Sequence, residues 1–141
     1  MIPELAVALI ARFEGFSATP YLCPAGKWTI GYGTLCRQDH PAVTEEEAQA
    51  LLIDYLERVV PGVLAQVPAL EDDEARLAAV LSWVYNLGPA NFAASTFRRR
   101  LAAQDWPGAA FQCRRWSRAG GRRLAGLVAR REVEARLIAP A

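Results

Sequence analysis

The 141-residue sequence predicts a mostly α fold with a small β-hairpin or sheet, an α+β class built as a single two-lobed domain. Stretches with apolar residues three and four apart fill most of the chain, as amphipathic helices require. One segment, residues 17–43, breaks that pattern with Pro20, Pro24, Gly26, Gly31, Gly33 and Pro41. No repeat, low-complexity tract or linker longer than a turn divides the chain. A hydrophobic fraction of 52% supports one sizeable core at this length and excludes disorder, whereas two independent cores would be too small.

Leu5, Leu9, Ile10, Phe13 and Phe16 give the first helix one apolar face over residues 3–16, with Pro3 near its first turn and Gly15 near its end. In the broken segment Trp28, Ile30 and Tyr32 alternate with Thr29, Gly31 and Gly33, so a strand there has one bulky face and one nearly bare face. Residues 17–43 thus read as a small β-containing lobe. A helical lobe follows over 44–141, against which helix 3–16 also packs. It opens with Thr44-Glu45-Glu46-Glu47, a capping box in which the Thr44 hydroxyl and the Glu47 carboxylate satisfy each other's backbone N–H. This helix carries Leu51, Leu52, Tyr55, Leu56 and Val59, and Pro61-Gly62 is expected to stop it. Asp72 and Asp73 offer an N-cap to a second long helix that ends at Gly88-Pro89. Shorter helices are expected at 91–103, 107–117 and 124–138, separated by Trp106-Pro107 and Gly120-Gly121.

Several function classes fall away on composition. Cys23, Cys36 and Cys113 form no paired framework, and with His40 they lack zinc-ligand spacing, so reduced thiols and no metal are expected. The apolar run Leu5 to Ala11 is seven residues long between Glu4 and Arg12, which is neither a signal peptide nor a membrane span. The net charge of +1 conceals a segregation, with −7 over residues 1–97 and +8 over 98–141. The cationic end consists of Arg98-Arg99-Arg100, Arg114-Arg115, Arg122-Arg123 and Arg130-Arg131, and either attracts an anionic partner or faces water. Doublets spread over several helices with no helix-turn-helix landmark argue against nucleic acid.

Glu14 is the first candidate for chemistry. The negative end of its helix and the neighbouring Phe13 and Phe16 disfavour a charged carboxylate, which suits a general acid that protonates a glycosidic oxygen. Thr29, on the bare strand face beside Gly31 and Gly33, is placed to hold a water where a bulky ligand approaches the backbone. Cys23 lies between them, either as a small buried hydrophobe or as a thiol that orients or deprotonates that water.

Glu14, eight residues, Cys23, five residues and Thr29 resemble the Glu-x8-Asp/Cys-x5-Thr signature of phage-type lysozymes, the endolysins of glycoside hydrolase family 24. Further landmarks stand in the family's order: Glu14-Gly15-Phe16, Trp28 to Gly33, Tyr85-Asn86-Leu87-Gly88, Ser95-Thr96-Phe97, Trp106, Trp116, Gly120-Gly121, Gly126-Leu127, and Arg130-Arg131 with Glu134. The resemblance covers essentially the whole chain.

It implies hydrolysis of the β-1,4 bond between N-acetylmuramic acid and N-acetylglucosamine in the glycan strands of peptidoglycan, without a cofactor. By the same resemblance Glu14 is the general acid, Cys23 holds the place of the residue that positions or activates water, and Thr29 positions that water. With no second carboxylate, inversion by a placed water is the expected course. Tyr85 and Asn86 match a turn that binds N-acetyl sugars, though both also suit core packing, and Gly31 joins them as a candidate substrate contact. Arg130 or Arg131 is expected beside Glu14.

Thr34 departs from the family, standing where many relatives have His, so the ion pair such a His makes is missing. Some relatives with Cys at the catalytic position carry an N-terminal membrane anchor and a disulfide lock. Here the chain is expected to begin with its first helix, to insert in no membrane, to act as a monomer, and to wait in the host cytoplasm until a separate membrane-lesion protein releases it. A Cys23–Cys36 disulfide, which would block catalysis, is conceivable in an oxidising compartment. The rival reading is a peptidoglycan-binding module of the same fold that does not cut, or a particle or toxin component. Retention of both Glu14 and Thr29 argues against it.

Overall fold

A computed structural model describes residues 2–140. In chain order the elements are α1 (Glu4–Glu14), β1 (Ser17–Leu22), β2 (Trp28–Gly31), β3 (Thr34–Leu35), α2 (Glu45–Gln66), a 3-10 turn at Pro68–Leu70, α3 (Glu74–Leu87), α4 (Pro89–Ala94), α5 (Thr96–Ala102), α6 (Trp106–Arg114), β4 (Arg118–Ala119), β5 (Arg122–Arg123) and α7 (Ala125–Ile138). Two compact units, 1–58 and 59–141, part within α2.

In the first unit, α1 ends at Glu14, two residues short of expectation, because Gly15 takes φ +70° while its N–H still bonds the Ala11 carbonyl at 3.0 Å. Phe16, released from the helix, packs on Tyr32 with ring centroids 5.6 Å apart. The sheet is antiparallel in the order β1-β2-β3. Tyr21 stands opposite Thr29 and Leu22 opposite Trp28, and the register slips between Ser17 and Tyr21, where Pro20 has no N–H to donate. The strand ends at Gly31, so Tyr32 and Gly33 form the turn into β3 instead of prolonging the alternation. Ile30 is buried with Val43 and Ala48, and Tyr32, Cys36 and Leu51 pack against that cluster.

The capping box forms as expected: Thr44 N–H donates to Glu47 Oε1 at 3.0 Å, and Glu47 N–H to Thr44 Oγ1 at 3.1 Å. Pro61-Gly62 does not stop α2, which runs on to Gln66 with Pro61 inside it. Proline removes one N–H, but Leu52, Leu56, Val60, Val63 and Val67 continue the buried stripe at spacings of three and four, and their burial outweighs the lost bond.

In the second unit Asp73 caps α3 by accepting from Arg76 N–H at 3.1 Å. Trp83 lies at the centre, with Phe92, Phe97 and Trp116 rings at 5.9, 5.0 and 5.1 Å. The helix expected at 91–103 is two helices. Ser95 closes one and opens the next, since its hydroxyl donates to the Phe92 carbonyl at 2.8 Å and accepts from Arg98 N–H at 3.0 Å. Gly120-Gly121, read as a helix separator, is instead the tip of the ribbon β4–β5. No helix among the described residues is long and apolar enough to cross a membrane.

Candidate active site

Glu14, Cys23 and Thr29 all belong to the first unit. The end of α1 presents Glu14 to the β2–β3 turn. Gly33, at φ +86°, passes so close that a Cβ there would lie 2.7 Å from Glu14 Oε1. Only a residue without a side chain allows that approach.

Gly31 packs its bare side on α2. Its missing Cβ would meet Ala48 Cβ at 2.9 Å, so its bare side is filled by α2 and offers a ligand no room. Thr29 likewise does not stand on an open face: it is 3% exposed, and its hydroxyl donates to the Lys27 carbonyl at 3.0 Å.

Cys23 opens the turn between β1 and β2. Its N–H bonds the Lys27 carbonyl at 3.0 Å, and its carbonyl accepts from Gly26 N–H at 2.8 Å. The tight loop turns backbone donors toward the sulfur. Chiefly the Lys27 N–H, then that of Ala25, hold the thiol below its ordinary value. Cys36 and Cys113 move the other way, raised by burial. Among the three, Cys23 is therefore the thiol suited to act as a thiolate.

Tyr21 was not singled out in the sequence. Facing Thr29 across the ladder and two residues before Cys23, it shares their side of the sheet. Its phenol is raised by partial burial, then by the charges of Glu14 and Cys23, so it feels both groups. The strand period, counted backwards from Cys23, was the signal that could have found it.

Tyr85 and Asn86 lie in the last turn of α3, both half-buried. Asn86 Oδ1 has no hydrogen-bond partner among the described residues. Arg130 and Arg131 both reach the buried Glu134, at 3.5 and 2.7 Å, and Ser82 Oγ donates to the same carboxylate at 2.5 Å. Burial pushes Glu134 up, and the two guanidinium groups and the Ser82 hydroxyl pull it back. This network lies within the second unit.

A sequence profile of the phage lysozyme family matches residues 11–134. The chain belongs to the phage lysozyme family. It is 35% identical over 140 residues to an endolysin of Acyrthosiphon pisum secondary endosymbiont phage 1, covering 94% of each protein. It is 37% identical over 127 residues to a SAR-endolysin of Bacteriophage PS119, covering 86% of this chain and 73% of that one. Among solved structures, the muramidase domain of SpmX from Asticaccaulis excentricus superposes with a TM-score of 0.81 at 30% identity, over 100% of this chain and 99% of that domain. As a phage lysozyme of the endolysin kind, the protein is a glycoside hydrolase that degrades peptidoglycan.

Proposed function

We propose that this phage lysozyme cleaves the β-1,4 bond between N-acetylmuramic acid and N-acetylglucosamine by single displacement, with Glu14 as the general acid. The observation that supports this reading is the Glu14 carboxyl seated against Gly33 at the end of α1, in the same unit as Thr29 on β2 and the tight Cys23–Lys27 loop. In the proposed reaction Glu14 protonates the leaving oxygen, and a water held by Thr29 and Cys23 attacks the anomeric carbon. The Cys23 thiolate takes the proton of that water, so the product is a hemiacetal of inverted configuration. Asn86 and Tyr85 serve as sugar contacts, and the unsatisfied Asn86 Oδ1 supports the former. Gly31 contributes by packing on α2, with its backbone as the remaining candidate contact.

The protein acts as a monomer on the insoluble wall. It is made in the host cytoplasm and reaches the wall through a lesion formed by another protein. Its Arg-rich end supports attraction to anionic envelope polymers. The test is digestion of purified peptidoglycan by wild type, Glu14→Gln and Cys23→Ser, with released ends read by mass spectrometry. Wild type yields reducing muramic-acid ends and Glu14→Gln yields about 100-fold fewer or none. Binding without release by wild type, under reductant, would replace hydrolysis by wall binding alone.

A further inference from the structure

The second unit carries a groove of about 520 Å³ lined by Phe111, Arg114, Arg115, Ser117, Arg118 and Arg123. That volume is in the range that holds a small ligand. Helix α6 buries Ala109, Ala110 and Cys113, which turns Phe111 outward with 60% of its surface exposed. Most of this large aromatic ring thus faces solvent among four guanidinium groups.

The ribbon adds an electrostatic argument. Arg118 and Arg123 face each other directly across β4–β5, and like charges at opposed positions destabilise a sheet. Arg114 is tied to Glu132 at 2.7 Å, but no carboxylate among the described residues bonds Arg115, Arg118 or Arg123. The fold therefore concentrates cations around an apolar ring and leaves their repulsion uncompensated. An anion with two or three oxygens, attached to something flat and carbon-faced, would relieve it.

We propose that this groove binds a phosphate-bearing sugar of the cell envelope, with the phosphate between Arg118 and Arg123 and the sugar ring against Phe111. The proposal rests on the reading of the chain as an envelope-acting muramidase and gives its cationic end a site. Guanidinium groups bind phosphate through paired N–H donors, and a phosphate monoester has three oxygens and up to two charges to share between Arg118 and Arg123. The same chemistry occurs in phosphorylated glucosamine head groups of an outer-membrane glycolipid and in sugar-phosphate wall polymers.

The test is a titration followed by amide chemical shifts, using glucosamine 6-phosphate, glucosamine and inorganic phosphate as probes. Wild type binds glucosamine 6-phosphate saturably, with shifts confined to α6 and the ribbon, and binds glucosamine at least about tenfold more weakly. The double variant Arg118→Gln/Arg123→Gln loses about tenfold or more, and Phe111→Ala weakens the sugar phosphate while leaving inorganic phosphate unchanged. Loss of the opposed charges makes the double variant melt no lower than wild type, so its weaker binding is not a folding defect.

Failure of wild type to saturate, or equal binding by the double variant, overturns the site. Equal affinity for inorganic phosphate and the sugar phosphate overturns the role of Phe111. Co-sedimentation with vesicles of phosphorylated glycolipid, against walls carrying sugar-phosphate polymer, distinguishes the two sources. Cleavage of phosphate-free peptidoglycan is unchanged in the double variant. If wild type fails to cleave it, the muramidase reading falls while the phosphate titration still decides the groove.

Discussion

Gly33→Ala probes the placement of Glu14 without touching any reacting group. At φ +86° an alanine pays roughly 1–2 kcal/mol for a left-handed backbone. The new Cβ would sit 2.7 Å from Glu14 Oε1, against an ordinary contact of 3.4 Å or more, so the carboxyl must retreat by about 0.7 Å. Glutamate is flexible, so this retreat costs little stability. If Glu14 is the proposed acid and must meet a leaving oxygen, a displacement near 1 Å costs up to about 100-fold. The expected result is a 30- to 100-fold fall in kcat, by roughly that reasoning, with KM nearly constant and a melting point about 3–6 °C lower. Gly120→Ala is the control, because Gly120 has φ +59° and open space around it. It shares the backbone cost and keeps full activity. Rates come from release of reducing ends on soluble peptidoglycan fragments, and stability from thermal melts. A Gly33→Ala protein that melts lower yet cleaves at the wild-type rate would refute the claim that this turn sets the position of the acid.

Four further expectations rest on the same structure. Iodoacetamide labels Cys23 before Cys36 and Cys113, and its rate rises with pH at values below the ordinary thiol range, because the anion is the reactive form; mass spectrometry across pH 6–9 follows it, and first labelling of Cys36 would contradict the donor loop. If the thiolate is the base, the alkaline-rising limb of kcat follows the same titration and flattens in Cys23→Ser. Tyr21→Phe removes an O–H near both Glu14 and Cys23 and lowers kcat by about tenfold with little change in melting point, whereas an unchanged pH–rate profile would make Tyr21 a bystander. Thr34→Val removes a buried hydroxyl that has no hydrogen-bond partner among the described residues and stabilises the protein by about 1 kcal/mol in denaturant unfolding, with a lower midpoint counting against it.

Where local chemistry decides the structure, the sequence was readable. The Thr44–Glu47 box and the Asp73 cap each need only neighbouring residues, and both formed. Pro61 misled because its local cost competes with burial of Val63 and Val67, which no short window reveals. Ser95 misled in the opposite way, since a single hydroxyl serving two helices looks like any other polar position in a periodic stretch. At the site, spacing identified Glu14, Cys23 and Thr29 as candidates through a family signature. The alternation that exposed Gly31 on paper stopped at the strand end, and Ala48 came from a helix fourteen residues beyond Thr34 to fill the space. The cationic C-terminal stretch was legible as charge, but not as a ribbon with arginines face to face.

All three proposed reacting groups, from Glu14 to Thr29, come from sixteen consecutive positions: a helix end, a bulged strand and a tight turn. Bringing them together closes only short loops, which is entropically cheap and fast compared with catalytic sets drawn from distant strands. The segment is therefore a compact cassette, exchangeable in one cut between related chains. A chimera that swaps only residues 14–33, the partner turn of Gly33 included, would transplant one enzyme's pH–rate behaviour onto another's body.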